Sequence, residues 1–532
     1  MKDKIAIIPS AWKPQNALFP GVFDPMIPIN WKPTIEYILS SVMKLGFSDV
    51  IILLHKDDIK TYNYLRFKKS TINLVLKQID TNNLSETILC TKDIIQNKEA
   101  LIYLWDSIYT WDIDFSNNNI LVQDKDITEP EKWCFVDKKW NFKNWPDSID
   151  SEDKLIIGLY YLKKMDDFFH ILKNNDFYEA LSKYKELYTT VFSDVKNNYY
   201  DLWHLDEYYK SKIDFLRVRS FNSLEYDSFR WIITKKSTNW VKLSWEINWF
   251  NNIPSDLKIF TPRLLDYKLW NTVEYSLEFY GYNSIADIFL YANYPISYFK
   301  NILDKLLFYI DYVKNTYNNK SFPVSNIYSI YYDKTLERLS KLKENKFLFE
   351  LYNKEYLIIN WMKYDNIQHI FDNEKLYKII NDKIINENDF TIVHGDLCFS
   401  NILFDTFNWL FKLIDPRWMF WEVWVYGDIK YDIAKLRHSL HWRYENIISD
   451  LFSLDYNLDG ANFNYEYFNW NNNDELIEYF DDKLIEMWYN IETIKFIEWL
   501  LYLTMIPLHS DSQERQIVMY LTSVELFNEV DF

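Results

Sequence analysis

The sequence predicts two joined domains. The first is an α/β domain on a doubly wound, mainly parallel sheet, and the second is an α+β domain rich in helix. Three observations carry this. The chain has 532 residues, too many for one hydrophobic core. Up to about residue 210, short apolar runs alternate with helical segments, which is the pattern of a wound parallel sheet. Beyond about residue 215, one alternating strand segment is followed by long amphipathic helices.

Composition narrows the function classes. A hydrophobic share of 48% with 26% charged residues is that of a globular chain. A net charge of -18 argues against a nucleic-acid or anionic-membrane surface. Cys90, Cys134 and Cys398 are far apart, form no metal-type pair and suit a reducing compartment. The opening Met-Lys-Asp-Lys-Ile-Ala-Ile-Ile-Pro has too short an apolar run for a signal peptide. No run of about 18 apolar residues is present to span a bilayer. The expectation is a cytoplasmic protein with small-molecule partners, no nucleic acid and no membrane insertion.

In chain order, Lys4–Pro9 reads as a buried strand, followed by the turn Ser10-Ala11-Trp12-Lys13. Lys32–Leu45 has helical apolar spacing, with Pro33 in its first turn and Gly46 as its stop. Val50–Leu54 is the next strand, Leu101–Leu104 leads to Asp106, and Leu155–Tyr161 is a later strand. The charged helix Asp206–Lys212 precedes a join near residue 215 that has no Pro/Gly/Ser linker. Phe229–Lys236 alternates as a strand and ends in lysines, and Lys242–Phe250 is helical. Tyr298–Tyr317 and Asp333–Lys343 are amphipathic helices, Asn471–Asp474 reads as a surface loop, and Glu498–Met519 is helical.

One feature of the composition is abnormal. The chain has 7 glycines and 22 tryptophans, whereas average usage is roughly 7% glycine. Many tryptophans stand in turns that suit glycine. Examples are Trp31 after Asn30, Trp140 after Lys138-Lys139, and Trp418, Trp421 and Trp424 crowded into one loop. The expectation is that many of these positions are glycine in the living cell, as a genome reading UGA as glycine would produce.

The densest chemistry lies in Ile392-Val-His394-Gly395-Asp396 through Asn401 and on to Leu413-Ile-Asp415. Phosphoryl transfer from a nucleotide needs such a set. One carboxylate accepts the proton of the attacking hydroxyl, while an Asn and a second Asp hold the magnesium on the phosphates. The alternative is a strand-turn-strand in which His394 and Asp396 bond only backbone. The spacing resembles the catalytic and metal loops of the aminoglycoside phosphotransferase and choline kinase family, within the protein-kinase-like fold. That resemblance implies Asp396 as base, Asn401 and Asp415 as magnesium ligands and His394 as a structural orienter. It also implies a strand lysine paired with a helix glutamate on the phosphates. Lys235 and Glu246 take those places, with Lys236 as the fallback for the lysine. Read alone, they are a solvated lysine and an exposed helix acid. Ser220–Glu225 occupies the place of the phosphate-covering loop, without glycine. Tyr275–Tyr282, with Glu278, resembles the hinge that reads the adenine. Asp428 or Asp432 would pack beneath the catalytic loop.

With glycine at Trp12 and Trp31, the start resembles the sugar-phosphate nucleotidyltransferase family. The resemblance implies that Ser10, Ala11, Trp12 and Lys13 wrap the nucleotide phosphates. It implies Asp106, after Leu101-Ile-Tyr-Leu-Trp105, and Asp201, before Leu202-Trp203, as ligands of one magnesium. Their plainer role is strand-end capping. The family's Gly-x-Gly-Thr-Arg is absent, Lys13 is the nearby cation, and Phe23-Asp24-Pro25-Met26 stands where a lysine is usual. A dinucleotide-binding dehydrogenase is disfavoured because no G-x-G-x-x-G follows the first strand.

The expected layout is therefore a Rossmann-like nucleotidyltransferase domain at 1–214 and a bilobal kinase-like domain at 215–532, its N-lobe ending near 282. The expected function is a bifunctional transferase of surface-polysaccharide precursor synthesis. One half phosphorylates a small hydroxyl compound with ATP and Mg2+. The other couples a second NTP to a sugar phosphate. The alternatives are a kinase with a degenerate first domain and a non-catalytic scaffold.

Overall fold

A computed structural model describes residues 4–13, 19, 22–29, 31–68, 72–109, 113–124, 127, 129–195, 199–202, 204–216, 222–237, 240–269, 273–318, 324–369, 373–385, 390–417, 425–441, 443–468 and 473–530. Asn30, Trp203, Ser220, Phe221, Trp418, Trp421, Trp424, Asn471 and Asn472, invoked above, lie outside them. The chain divides into two compact units. One is Met1–Leu216 with Tyr291–Asn293, and the other is Arg217–Leu290 with Tyr294–Phe532.

The first unit is built on a nine-stranded sheet. Lys4–Ser10 lies centrally, parallel to Asp49–His55 on one side and to Glu99–Tyr103 on the other. Asn73–Ile79 extends this block in parallel. The strands are near-continuous apolar runs, and Ile5, Ile7, Ile51, Leu53 and Ile102 form the core. The helix Thr34–Lys44 buries Ile35, Ile38, Leu39 and Val42. Pro33 is its N-cap rather than part of its first turn, and Gly46 follows with φ 85°.

The sheet is mixed, not mainly parallel as the sequence suggested. Lys154–Leu162 runs antiparallel to Glu99–Tyr103, to Asn118–Gln123 and to Cys134–Val136. The reason is local. Among the described residues between 118 and 162 the connections hold no α-helix, so the chain turns back beside itself instead of crossing over. Lys154–Leu162 is also kinked. Its register with Asn118–Gln123 shifts between Ile156 and Tyr160, and Gly158 sits at the shift with φ 80°. A Cβ at Gly158 would stand 3.2 Å from Leu104 Cβ, so both the backbone angle and the space demand glycine.

The second unit opens with a four-stranded antiparallel sheet, in the order Asn222–Asp227, Ile232–Ser237, Val273–Glu278 and Leu264–Lys268. Phe229–Trp231 form the turn between its first two strands, not the start of a strand, and Asn222–Glu225 is strand rather than loop. The helix Trp240–Asn252 lies in the connection from the inner strand Ile232–Ser237 to the edge strand Leu264–Lys268. Helices then dominate, among them Ile296–Thr316, Lys334–Glu344, Ile429–Leu440, Asn473–Glu486, Ile491–Met505 and Gln513–Glu529. The helix expected over Glu498–Met519 is two helices, broken by the 3-10 turn Ile506–His509, where Pro507 has no N–H to continue the ladder. Asn473 and Asp474 begin a helix rather than sit in a loop. No described helix is long and apolar enough to cross a membrane.

Tryptophan dominates the strained backbone. Among the described residues, seven of the thirteen non-glycine residues with positive φ are tryptophans: Trp31, Trp140, Trp145, Trp231, Trp361, Trp409 and Trp488. A bulky residue there is an outlier, since its Cβ crowds the following carbonyl. The settings are those of glycine. Asn360-Trp361 joins two antiparallel strands with φ 47° and 71°, the conformation that Asn-Gly adopts in a two-residue hairpin. Trp488 follows the helix Asn473–Glu486, where Tyr489 N donates to Leu484 O, a glycine C-cap geometry.

Candidate active sites

Each unit brings together some of the side chains that the sequence singled out. In the first, two short strands, Ser107–Tyr109 and Tyr199–Asp201, pair antiparallel with Asp201 opposite Ser107. This places Asp106 and Asp201 side by side although they are far apart in sequence. Leu202 N donates to Asp106 O at 2.9 Å and locks the junction. Asp106 Oδ1 accepts from Ser107 Oγ at 3.1 Å. Asp201 is buried and accepts from His204 N at 2.8 Å and Tyr199 Oη at 3.1 Å. Burial and the charge of Asp201 push the Asp106 carboxyl up to about 6.

Two cavities meet at Asp106. A cleft of about 910 Å³ is lined by Trp12, Lys13, Asp24, Ser85 and Asp106. A smaller one of about 200 Å³ is lined by Asp106, Trp133, Tyr178, Tyr199, Asp201 and His204. Asp106 therefore faces both, and Asp201 only the smaller. Ser10 and Ala11 are buried and line neither cavity, so a ligand there meets Trp12 and Lys13 instead.

Sequence reasoning passed over Asp24 and His204. Asp24 is buried on the large cleft, and burial with the charges of Asp106 and Asp58 pushes its carboxyl up to about 8. The cleft wall at this point therefore carries an acid whose pKa lies well above the ordinary carboxylate range. His204 stacks on Trp133 with ring centroids 3.7 Å apart, and its Nδ1 lies 3.0 Å from Asp201 Oδ1. Its place three residues after Asp201, at the start of a helix, was the available signal.

In the second unit, two polar loops are zipped together. Phe390–Ile392 pairs with Tyr426–Asp428, and the loop after it turns at Gly395 with φ 77°. Ile402–Asp405 and Leu410–Leu413 form a hairpin that delivers Asp415. Ile414 N donates to Asn401 O and Arg417 N donates to His394 O, both at 3.0 Å. Asn401 Nδ2 donates to the Asp396 carbonyl at 2.8 Å, leaving Oδ1 as its free oxygen type for a cation.

Lys235 Nζ lies 2.8 Å from both Glu246 and Asp415. Burial opposes the ammonium charge, but Asp415 and Glu246 outweigh it and raise its pKa. Tyr275 Oη donates to Glu246 at 2.6 Å and fixes the acid from the neighbouring strand. Lys236 pairs instead with Glu225, which removes it as the fallback. Glu278 pairs with Arg263 at 3.2 Å, at the end of its strand, and among the described residues no hydrogen bond or ion pair joins it to the Lys235 cluster.

Asp396 is clamped by two cations. Lys435 Nζ is 3.0 Å from Oδ1 and Arg417 Nε is 3.1 Å from Oδ2. Burial would raise this carboxyl, but Lys435 and Arg417 hold it far below the usual carboxylate range. His394 is fully buried, edge-on to Trp249, and burial pushes its pKa down to about 4. It cannot touch a substrate and acts through its backbone. Asp432, not Asp428, lies beneath the loop and accepts from His394 N at 2.6 Å and Gly395 N at 2.8 Å. Asp428 caps the helix Ile429–Leu440. Lys435 and Arg417 were missed, yet Lys435 is one helical turn after Asp432 and Arg417 two residues after Asp415.

Both carboxylate sets are hard oxygen donors that suit magnesium. Among the described residues no group of three or more His, Cys, Asp or Glu forms a metal cage. Each set would supply one or two ligands, with phosphate and water completing the shell.

A buried acid near this site sets a pH dependence. Glu445 accepts from Ser439 Oγ at 2.8 Å, and burial pushes its pKa up to about 7. The stability tied to a raised acid is complete below the ordinary glutamate pKa of about 4.3 and is lost as pH rises through the folded value. Asp432 and Glu525, each raised to about 7, act in the same direction. The second unit is therefore expected to melt at a lower temperature at pH 8 than at pH 5.5, and Glu445→Gln should shrink that gap. A melting temperature that rises from pH 5.5 to pH 8 would contradict the assignment.

No protein-family model and no curated protein matches the chain. Among solved structures, the chain is similar to a UDP-glucose pyrophosphorylase from Acinetobacter baumannii, with 15% identity over 41% of this chain and 94% of that one and a TM-score of 0.35. A UDP-glucose pyrophosphorylase complexed with UDP-glucose is similar at 18% identity, covering 41% of this chain and 100% of that one, with a TM-score of 0.35. A protein designated a glucose-1-phosphate thymidylyltransferase, from Bacillus anthracis, is similar at 14% identity over 41% of this chain and 96% of that one, again with a TM-score of 0.35.

Proposed function

We propose that the chain is a bifunctional transferase acting on small molecules, with a phosphotransferase site in the second unit and a nucleotidyl-transfer site in the first. The observation that carries the phosphotransferase reading is Lys235 held between Glu246 and Asp415, 2.8 Å from each. A lysine poised between an anchoring acid and a metal-binding acid is placed for the phosphates of a magnesium nucleotide. Asn401 and Asp415 would hold the metal, and Asp396 would orient the attacking hydroxyl. A carboxylate kept so acidic is a weak base, so proton transfer would come late, as suits a loose phosphoryl transition state.

In the first unit, Asp106 and Asp201 would hold a magnesium where the two cavities join. A nucleotide in the larger cleft would present its α-phosphate there to a sugar phosphate in the smaller one, and pyrophosphate would leave. Lys13 and Asp24 border the phosphates. The products would be activated precursors for surface polysaccharide, made in the cytoplasm.

The test uses the full chain with Mg2+ and measures two products. ADP release with ATP and a panel of sugars and amino alcohols reports the phosphotransferase. Pyrophosphate release with each NTP and a sugar phosphate reports the other site. Asp106→Asn is expected to lower pyrophosphate release by about 10²-fold or more while leaving ADP release unchanged. Pyrophosphate release that survives Asp106→Asn would remove the first-unit assignment.

A further inference from the structure

We propose that Arg417 is an oxyanion-binding residue beside Asp396, taking a phosphoryl or carboxylate oxygen that a reactant brings in. The inference rests on the phosphotransferase reading for its role, but not for the site itself. A single cation is enough to keep Asp396 ionised, and Lys435 supplies it. Lys435 is buried on the helix Ile429–Leu440, is 6% exposed and reaches Oδ1. Arg417 is therefore a surplus charge at the same carboxylate.

Its placement differs from that of Lys435. The Arg417 side chain is 47% exposed, and its Nε lies 3.1 Å from Asp396 Oδ2. Among the described residues its two terminal nitrogens make no hydrogen bond. A guanidinium is a planar fork of five N–H donors that matches two oxygens of a phosphate or carboxylate. Here one edge is fixed by Asp396 and by the backbone bond from Arg417 N to His394 O at 3.0 Å, while the terminal donors stay available. That is a preorganised receptor next to the atom that orients the acceptor hydroxyl.

The surroundings favour an anion too. Lys242 lies close enough to Arg417 and Lys235 that, after burial, their charges contribute to lowering its pKa. Lys235, Lys242, Arg417 and Lys435 thus share one cluster with Glu246, Asp396 and Asp415, and Asp432 beneath the loop adds a fourth acid whose pKa burial pushes up to about 7. Two sources fit the same chemistry. One is the transferred phosphoryl group of a triphosphate, and the other is an anionic group on the acceptor.

The probe is inorganic phosphate, titrated calorimetrically into the full chain with and without Mg2+ and ADP. Saturable binding is expected, with a Kd at least about tenfold higher in Arg417→Gln and intermediate in Arg417→Lys, which keeps the charge without the fork. Unchanged melting temperatures confirm that the variants fold. If Arg417→Gln weakens ATP but not ADP, the anion is the transferred phosphoryl group. If both nucleotides bind as before while phosphate weakens, it belongs to the acceptor. Either result supports the site. Phosphate that fails to bind the native chain, or that binds Arg417→Gln equally well, overturns it. Failure of ATP and ADP alike to bind would instead remove the phosphotransferase reading, and the nucleotide-free titration would still decide on Arg417.

Discussion

Asp396→Asn is expected to lower ADP release by about 10² to 10⁴-fold, the range for loss of a positioned proton acceptor. The amide keeps the shape of the acid but cannot take a proton or balance two cations. Lys435 would then be left buried without its partner, a change that typically costs about 3–5 kcal/mol. The variant should therefore also melt earlier, and that must be separated from chemistry. Asp396→Glu retains the charge and should recover stability before it recovers rate, because its longer side chain displaces the carboxylate from the acceptor. ADP release that is unchanged in a folded Asp396→Asn would end the assignment, as would equal rates in all three proteins.

Glycine at the left-handed tryptophans is expected to stabilise the protein. The left-handed conformation costs an L-residue about 1–2 kcal/mol, and glycine escapes that cost while losing about 0.5–1 kcal/mol through its freer unfolded chain. The balance is a gain of up to about 1 kcal/mol per site. The clearest sites are Trp361 and Trp488, with exposures of 82% and 93%, where little apolar burial is lost. Trp140 is a stricter case, because its ring stacks on Phe192 at 4.6 Å. The variant with glycine at Trp361 and Trp488 should unfold at higher denaturant with an unchanged slope. Mass spectrometry of protein from its own cell should find these peptides lighter by the difference between tryptophan and glycine. Tryptophan in those peptides, or a less stable variant, would refute the reading.

Some of this was legible in the amino-acid order and some was not. The parallel core strands are long apolar runs, which periodicity reaches, whereas Lys235 and Glu246 were singled out through the family resemblance and read alone as a solvated lysine and an exposed helix acid. Asp396, Asn401 and Asp415 sit on consecutive turns whose spacing is itself the signal. The partnership of Asp106 with Asp201 depends on a two-strand ribbon closing a long loop, and no local pattern encodes which strands meet. The antiparallel course of Lys154–Leu162 was hidden for a related reason, since a buried apolar run reads the same in either direction. Arg417 and Lys435 look like ordinary charged residues until the fold turns both towards one carboxylate. Ser10 and Ala11 show the opposite error, because family position marked them while burial removes their side chains from the cleft.

The break in Lys154–Leu162 at Gly158 has a consequence for selectivity. A regular strand offers every second side chain to one face, yet Ile156, Ile157, Gly158 and Tyr160 all border the smaller cavity. Part of that wall is therefore main chain, whose shape no substitution can trim or enlarge. Discrimination between alternative occupants falls to the other lining side chains, among them Tyr178 and Tyr199. Variation among related chains should accordingly concentrate on those aromatic positions and leave the hinge untouched.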